Sequence, residues 1–273
     1  MQTPALLYGT AWKESDTRRL VELALATGFR GIDTANQRKH YDEASVGQAL
    51  VAAWNKGALT RDDIFLQTKF TYLSGQDARL PYDANAPVSK QVEQSFQSSL
   101  KHLGVSFIDS YVLHGPSSRG EWSATDREAW RAMESLHQEK KARALGVSNI
   151  TLPQLEELCA TSRVRPAFVQ NRCYARLGWD FAVRHFCEEH GIVYQGFSLL
   201  TANPHVVRGA PVASVAKKYG KTPEQVVFRY ALEMKMLPLT GTTQEVHMRQ
   251  DLDAVNFELD EADHAALEDT AFA

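Results

Sequence analysis

Residues 107–149 read FIDSYVLHGPSSRGEWSATDREAWRAMESLHQEKKARALGVSN. The stretch opens on a short apolar run, 107–113 (FIDSYVL), and closes on another, 142–147 (ARALGV). Between them Trp130, Met133, Leu136 and His137 recur at the three- and four-residue spacing of one helix face. Strand, helix and strand in that order predict a parallel crossover unit. Polar residues stand at the strand ends, with His114 after SYVL and Ser148 and Asn149 after ALGV.

The alternation continues in both directions. Candidate strands precede it at 5–9 (ALLYG), 29–33 (FRGID) and 63–69 (DIFLQTK), and follow it at 166–170 (PAFVQ), 192–196 (IVYQG) and 235–240 (KMLPLT). Helical spacing links them through Leu20, Leu23 and Ala24, then Val92, Phe96 and Leu100. Later come Leu152, Leu155 and Leu158, Val183, Phe186 and Cys187, and Val226, Val227 and Tyr230. Thr151 with Gln154, and Thr222 with Gln225, have the spacing of capping boxes, and Pro153 and Pro223 suit a first helical turn. Eight such units predict a (β/α)8 TIM barrel, with a doubly wound open sheet as the structural rival. No linker or repeat interrupts the chain, so 1–273 reads as a single domain. The long connections 70–87 and 115–125 follow strands, which in a barrel places them on the C-terminal face, where substrate pockets are built.

Composition narrows the function. The chain has 273 residues, 44% of them apolar and 23% charged, and a formal net charge of -3. That balance argues against broad electrostatic capture of nucleic acid or of an anionic membrane. There is no run of 18 apolar residues and no charged-then-apolar leader, so the expectation is a cytoplasmic protein. Cys159, Cys173 and Cys187 are widely spaced without a CxxC, and the scattered histidines lack metal-ligand spacing, so no metal site is expected. Neither GxGxxG nor GxxxxGK followed by Ser or Thr, the two glycine-rich phosphate fingerprints, occurs. Instead Asp33, Lys69, His114, Ser148, Asn149 and Gln170 each stand at or just after a strand end, where a barrel would bring them to one mouth.

These pieces resemble the aldo-keto reductase family. GFRGIDTA (28–35) is similar to that family's second-strand motif, and its continuation supplies Tyr41, Glu43, Val46 and Gly47. LQTKF supplies Lys69, YVLHGP supplies His114, GVSN supplies Ser148 and Asn149, and VQNRCY supplies Gln170. FSLL places Phe197, Ser198 and Leu200 where the family often has Tyr-Ser before Pro-Leu. The likeness runs from about residue 5 to 268 and implies NAD(P)H-dependent reduction of aldehydes and ketones by a monomer.

It also implies roles. A carbonyl oxygen that gains negative charge on hydride transfer must receive a proton. Tyr41 would donate it, Lys69 would lower the phenol's pKa, Asp33 would hold Lys69, and His114 would orient the carbonyl. Counting back from Val46 and Gly47 instead puts His40 nearest the usual Tyr slot, so His40 stays an alternative. Ser148, Asn149 and Gln170 would hold the nicotinamide carboxamide, with Phe197 stacked on the ring. Strand alternation allows only one of Gln170 and Asn171 to point inward, and alignment favours Gln170. Trp12, Tyr72 and Trp122 are expected to wall the substrate, and Gly115 after His114 suggests a wide pocket.

The sequence departs from the family at 238–252. Leu239 and Thr240 fall where Lys and Ser usually hold the 2′-phosphate of NADPH, His247 falls near the usual Arg, and Asp251 replaces an Asn that meets adenine. NADPH is the first expectation, with NADH open, and Thr240, Thr242 and Thr243 would supply part of the missing contact. A trimmed N-terminal hairpin and a short C-terminal tail imply an open pocket with broad selectivity. Two rivals stand beside the reductase: a non-catalytic nucleotide-binding barrel that regulates a partner, and a lyase or isomerase using Lys69 as a Schiff base.

Overall fold

The structure is a computed structural model that describes residues 3–57 and 59–270, so the last residues of the C-terminal tail lie outside it. Eight strands form a closed, all-parallel barrel in sequence order. They are β1 (Leu7–Gly9), β2 (Gly31–Asp33), β3 (Phe65–Phe70), β4 (Ile108–Leu113), β5 (Ala142–Ser148), β6 (Phe168–Arg172), β7 (Val193–Phe197) and β8 (Leu237–Thr240). Because β1 pairs with both β2 and β8, no edge remains, and the open-sheet rival is excluded.

The helices α1 (Thr17–Thr27), α2 (Glu43–Asn55), α3 (Val88–Leu103), α4 (Ala124–Gln138), α5 (Leu152–Thr161) and α6 (Phe181–Glu189) follow the first six strands. After β7 come α7 (Pro204–Val207), α8 (Ala210–Tyr219) and α9 (Pro223–Glu233), and after β8 come α10 (Glu245–Asp253) and α11 (Glu261–Asp269). The capping boxes are present: Gln154 accepts from Thr151 N at 3.1 Å, and Gln225 accepts from Thr222 N at 3.1 Å. The helices α2, α7, α8, α10 and α11 escape the periodicity reading. In α2 a Cβ at Gly47 would meet the His102 carbonyl at 2.1 Å. Val46, Ala49 and Leu50 bury its apolar stripe in the core, and Gly47 lets it pack closely against the end of α3. No helix among the described residues is long and apolar enough to cross a membrane.

Apolar residues between sheet and helices form the main core, including Leu20, Val46, Phe96, Trp130, Leu155 and Val226. The lower lumen has its own plug of Leu7, Phe65, Ala144, Phe168, Leu237 and Leu239, with Phe65 and Phe168 edge to face at 5.5 Å. Above that plug the lumen turns polar. Alternation sends Gln67 and Lys69 of β3 inward together, and register sets Asp33 beside Gln67 and Gln170 beside Gln195.

Candidate active site

The polar layer is a connected lattice. Asp33, Gln67, Lys69, Gln170 and Gln195 are all nearly inaccessible to solvent. Gln67 Nε2 donates to Asp33 Oδ1 at 2.7 Å and to Gln195 Oε1 at 2.8 Å, while Gln195 Nε2 returns a bond to Gln67 Oε1 at 3.0 Å. Gln170 Nε2 adds bonds to Asp33 Oδ1 at 3.1 Å and to Gln195 Oε1 at 2.9 Å. Gln67 and Gln195 were not singled out from the sequence. Gln67 stands beside Thr68 and Lys69 in FLQTKF, and Gln195 is an amide inside an apolar run, so neither marks a strand end.

Lys69 Nζ donates to Asp33 Oδ1 and Oδ2, both at 2.6 Å, and to Thr34 O at 2.9 Å. An ammonium has three N–H groups, and all three are taken. Burial pulls the Lys69 pKa below its ordinary value, against the pull of Asp33 in the other direction. Lys69 therefore meets Tyr41 through space, with Nζ 5.3 Å from the ring centre. The expectation from the sequence is that Lys69 lowers the Tyr41 pKa. Burial first, and then the Asp33 carboxylate, push the phenol up instead. The Lys69 charge is directed into Asp33, and the phenol stays protonated.

Tyr41 and His114 stand side by side, edge to face with ring centres 5.9 Å apart, and both line a cavity of about 780 Å³. The Tyr41 hydroxyl has no hydrogen-bond partner among the described residues. His40 packs its ring at a tilt on Trp12, with centres 3.7 Å apart, and is not among the residues lining the cavity. Burial, followed by the charges of Lys69 and His40, brings the His114 pKa down to about 3, so the ring is neutral at any ordinary pH.

Beside this pair Ser148 Oγ donates to Gln170 O at 2.7 Å, and Asn149 Nδ2 donates to His114 O at 2.8 Å. The side-chain oxygens of Asn149 and Gln170 accept no bond among the described residues, and both residues line the cavity. Asn171 points outward, where it bonds Ile150 N, Ile150 O and Asp180. Phe197, Ser198 and Leu200 continue the wall. Three non-glycine residues of the lining, Trp12, Asn149 and Ser198, sit in the left-handed region at φ of 61°, 53° and 58°. Such strained backbone concentrates at functional sites.

The cavity ends against β8 and α10, at Thr240, Gly241, Thr242, His247, Gln250 and Asp251. Asp251 accepts from Thr240 Oγ1 at 2.6 Å, and burial raises its pKa to about 6. Thr243 does not reach the lining, and Arg249 is turned aside onto Glu245 at 2.6 Å. Glu224, from the first turn of α9, adds a second carboxylate. Its place in TPEQ reads as an acidic charge favourable to the helix N-terminus, which hides its exposure to the cavity. Lys13 faces the cavity from the β1 side and donates to the Gly241 carbonyl.

Two of the aromatics expected to wall the substrate lie elsewhere. Tyr72 donates to Asp126 Oδ1 at 2.9 Å, and the same carboxylate accepts from Ser117 N and Ser123 N. Tyr72 thus ties the loop after β3 to the loop after β4. Trp122 is buried against Trp130 at 6.3 Å. Both long loops use their aromatics to fasten themselves down. Trp12 alone of the three reaches the cavity, 68% exposed at its rim.

Strand-end acid, ammonium, phenol and imidazole at the C-terminal mouth of a barrel define a class of site suited to proton-coupled chemistry on a small molecule. Comparison with known proteins places the chain further. The sequence model of the aldo/keto reductase family matches residues 5–203 and 206–271. Aldo-keto reductase AKR2E4 of Bombyx mori is 31% identical over 278 residues, covering 95% of this chain and 84% of that protein. The crystal structure of MGS-M4, an aldo-keto reductase from a Medee basin deep-sea metagenome library, superposes with a TM-score of 0.85 at 25% identity, covering 100% and 93% of the two chains. An aldo-keto reductase (AKR2E5) complexed with NADPH has the same fold, with a TM-score of 0.84 at 24% identity over 99% and 85%. The chain belongs to the aldo/keto reductase family and is an oxidoreductase of that family.

Proposed function

We propose that this chain, as one barrel domain, reduces aldehydes and ketones at the Tyr41–His114 end of the cavity. The observation that carries the reading is the pairing of an unpartnered phenol with a neutral imidazole at the inner end of one long cavity. A nicotinamide cofactor would supply the hydride. Its carboxamide fits the free acceptors of Asn149 and Gln170, the Phe197 ring offers an apolar wall, and Lys13 offers a cation for a diphosphate.

Tyr41 is the proton donor. Its raised pKa keeps the proton on until an alkoxide forms beside it. His114 donates a hydrogen bond to the carbonyl oxygen and holds it toward Tyr41. Asp33 and Lys69 keep the floor of the site fixed and charged. The Schiff-base rival is disfavoured because Lys69 is wholly buried with every N–H engaged. The test is Tyr41→Phe: reduction of a carbonyl panel should collapse while nucleotide binding persists. Unchanged reduction would reject the assignment, and no nucleotide binding by the parent protein would favour a different class of function.

NADPH is the first expectation from the family, but the far end of the cavity favours a second reading, in which NADH serves at least as well. Glu224 and Asp251 place two carboxylates there, and Arg249 is engaged by Glu245. A dianionic 2′-phosphate entering that end meets like charge, whereas a ribose hydroxyl can donate to a carboxylate. Fluorescence titration with NADPH and with NADH decides between the two.

A further inference from the structure

Thr71, the residue after β3, is buried, with 6% of its surface exposed. Its Oγ1 lies 2.7 Å from His114 Nδ1. The bond is aimed from both sides. The Thr71 carbonyl accepts from the Tyr82 hydroxyl at 2.8 Å and from Gln76 Nε2 at 3.3 Å, which fixes the backbone. The Thr71 methyl fills the space left by Gly75, where an added Cβ would stand 2.7 Å from Thr71 Cγ2. With the methyl held there, the hydroxyl is directed at the imidazole. On the His114 side, its backbone N donates to Phe70 O at 2.9 Å and its carbonyl accepts from Asn149 Nδ2 at 2.8 Å.

A neutral imidazole carries one N–H, on either nitrogen. Nδ1 is occupied by Thr71, so Nε2 is the nitrogen left to face a ligand. If Nδ1 held the proton, Nε2 would present a lone pair and repel a carbonyl oxygen. If Thr71 donates, the proton lies on Nε2, where it can bond that oxygen. The Thr71 hydroxyl proton has no other acceptor among the described residues, whereas its lone pairs have no need of a donor. We propose that Thr71 is a positioning residue: its hydroxyl donates to His114 Nδ1 and holds the ring as the Nε2–H tautomer, ready to bond a carbonyl. The inference rests on the reductase reading for its purpose, but the tautomer is a property of the protein alone.

The test reads the tautomer directly. Nitrogen-15 spectra of histidine-labelled protein, with His114 assigned by its loss in His114→Gln, should show Nε2 protonated from about pH 5 to about pH 8. Thr71→Val should mix the two tautomers and lower kcat by about 10- to 100-fold, with the dissociation constants for NADH and NADPH unchanged. Thr71→Ser should restore both the spectrum and kcat. Gly75→Ala, which displaces the Thr71 methyl, should move the spectrum in the same direction as Thr71→Val. A wild-type ring protonated on Nδ1, or a Thr71→Val protein with an unaltered spectrum, would overturn the proposal. If the expected spectra are found in a protein that reduces no carbonyl, the lock stands and the reductase reading is what fails.

Discussion

The two ends of the cavity are built on different terms. At the barrel mouth Asp33, Gln67, Lys69, Gln170 and Gln195 come from the strands themselves, are buried, and bond one another in a lattice. At the far end Thr242, His247 and Glu224 come from a loop and helix turns, are half or fully exposed, and touch weakly, as in the 3.5 Å contact between Thr242 and His247. Hydride and proton transfer require atoms held within a fraction of an ångström, which strands surrounded by packing provide. Recognition of a nucleotide's distal end requires only charge and shape, which exposed side chains can vary without disturbing the lattice.

The largest expected effect is at the mouth. Tyr41→Phe should lower kcat by about 10²- to 10⁴-fold, the range of a lost general acid. Steady-state kinetics beside nucleotide titration would check it, and a loss confined to nucleotide affinity would break the division between the two ends.

Stability should separate them as well. Lys69→Met leaves the Asp33 carboxylate buried without its cation and should destabilise the fold by about 3–5 kcal/mol in urea unfolding. The double variant with Asp33→Asn should recover much of that. Thr242→Ala at the far end should stay within about 0.5 kcal/mol of the parent. A large loss at Thr242 would mean that the far end is part of the lattice.

At the far end the expected changes are in choice of nucleotide. Glu224→Lys should shift the ratio of NADPH to NADH affinity toward NADPH by about tenfold at low salt, the size of one exposed charge-assisted contact. The shift should shrink as salt is added. An unchanged ratio would remove Glu224 from the recognition surface.

The smallest effect is a pH dependence. Burial raises Asp251 to about 6, so its carboxyl takes up a proton as pH falls through that value. The negative charge at the far end then drops, and NADPH should gain a few-fold over NADH. The 2′-phosphate titrates near pH 6 too and acts in the same direction. Asp251→Asn isolates the protein's share, and its affinity ratio should vary less with pH than that of the parent.

Much of this contrast can be read in the chain before folding. Asp33, His114, Ser148 and Asn149 are visible because a polar residue closing an apolar run marks a strand end, and strand ends of a barrel converge. Tyr41 and His40 could not be told apart that way, since both lie in a loop. Three-dimensional placement alone sets the Tyr41 ring beside His114 and turns His40 onto Trp12. Tyr72 and Trp122 fail as cavity residues because an aromatic in a long loop has two uses, and here it secures the loop. Thr71, Gly75, Lys13 and Glu224 gave no signal, because each matters through a neighbour distant in sequence.

By itself the sequence determined the order of the eight strands and of six helices between them, the caps that start α5 and α9, and the strand-end residues that a barrel must gather. Those follow from periodicity and local hydrogen bonding, which act over a few residues. Only the tertiary structure decided that Lys69 gives all its hydrogens to Asp33 and Thr34, that Thr71 meets His114, and that two carboxylates face the far end. Each is a contact between separate elements. Its geometry is set by closure of the barrel, which joins strands far apart in the chain and fixes which atoms lie within bonding distance.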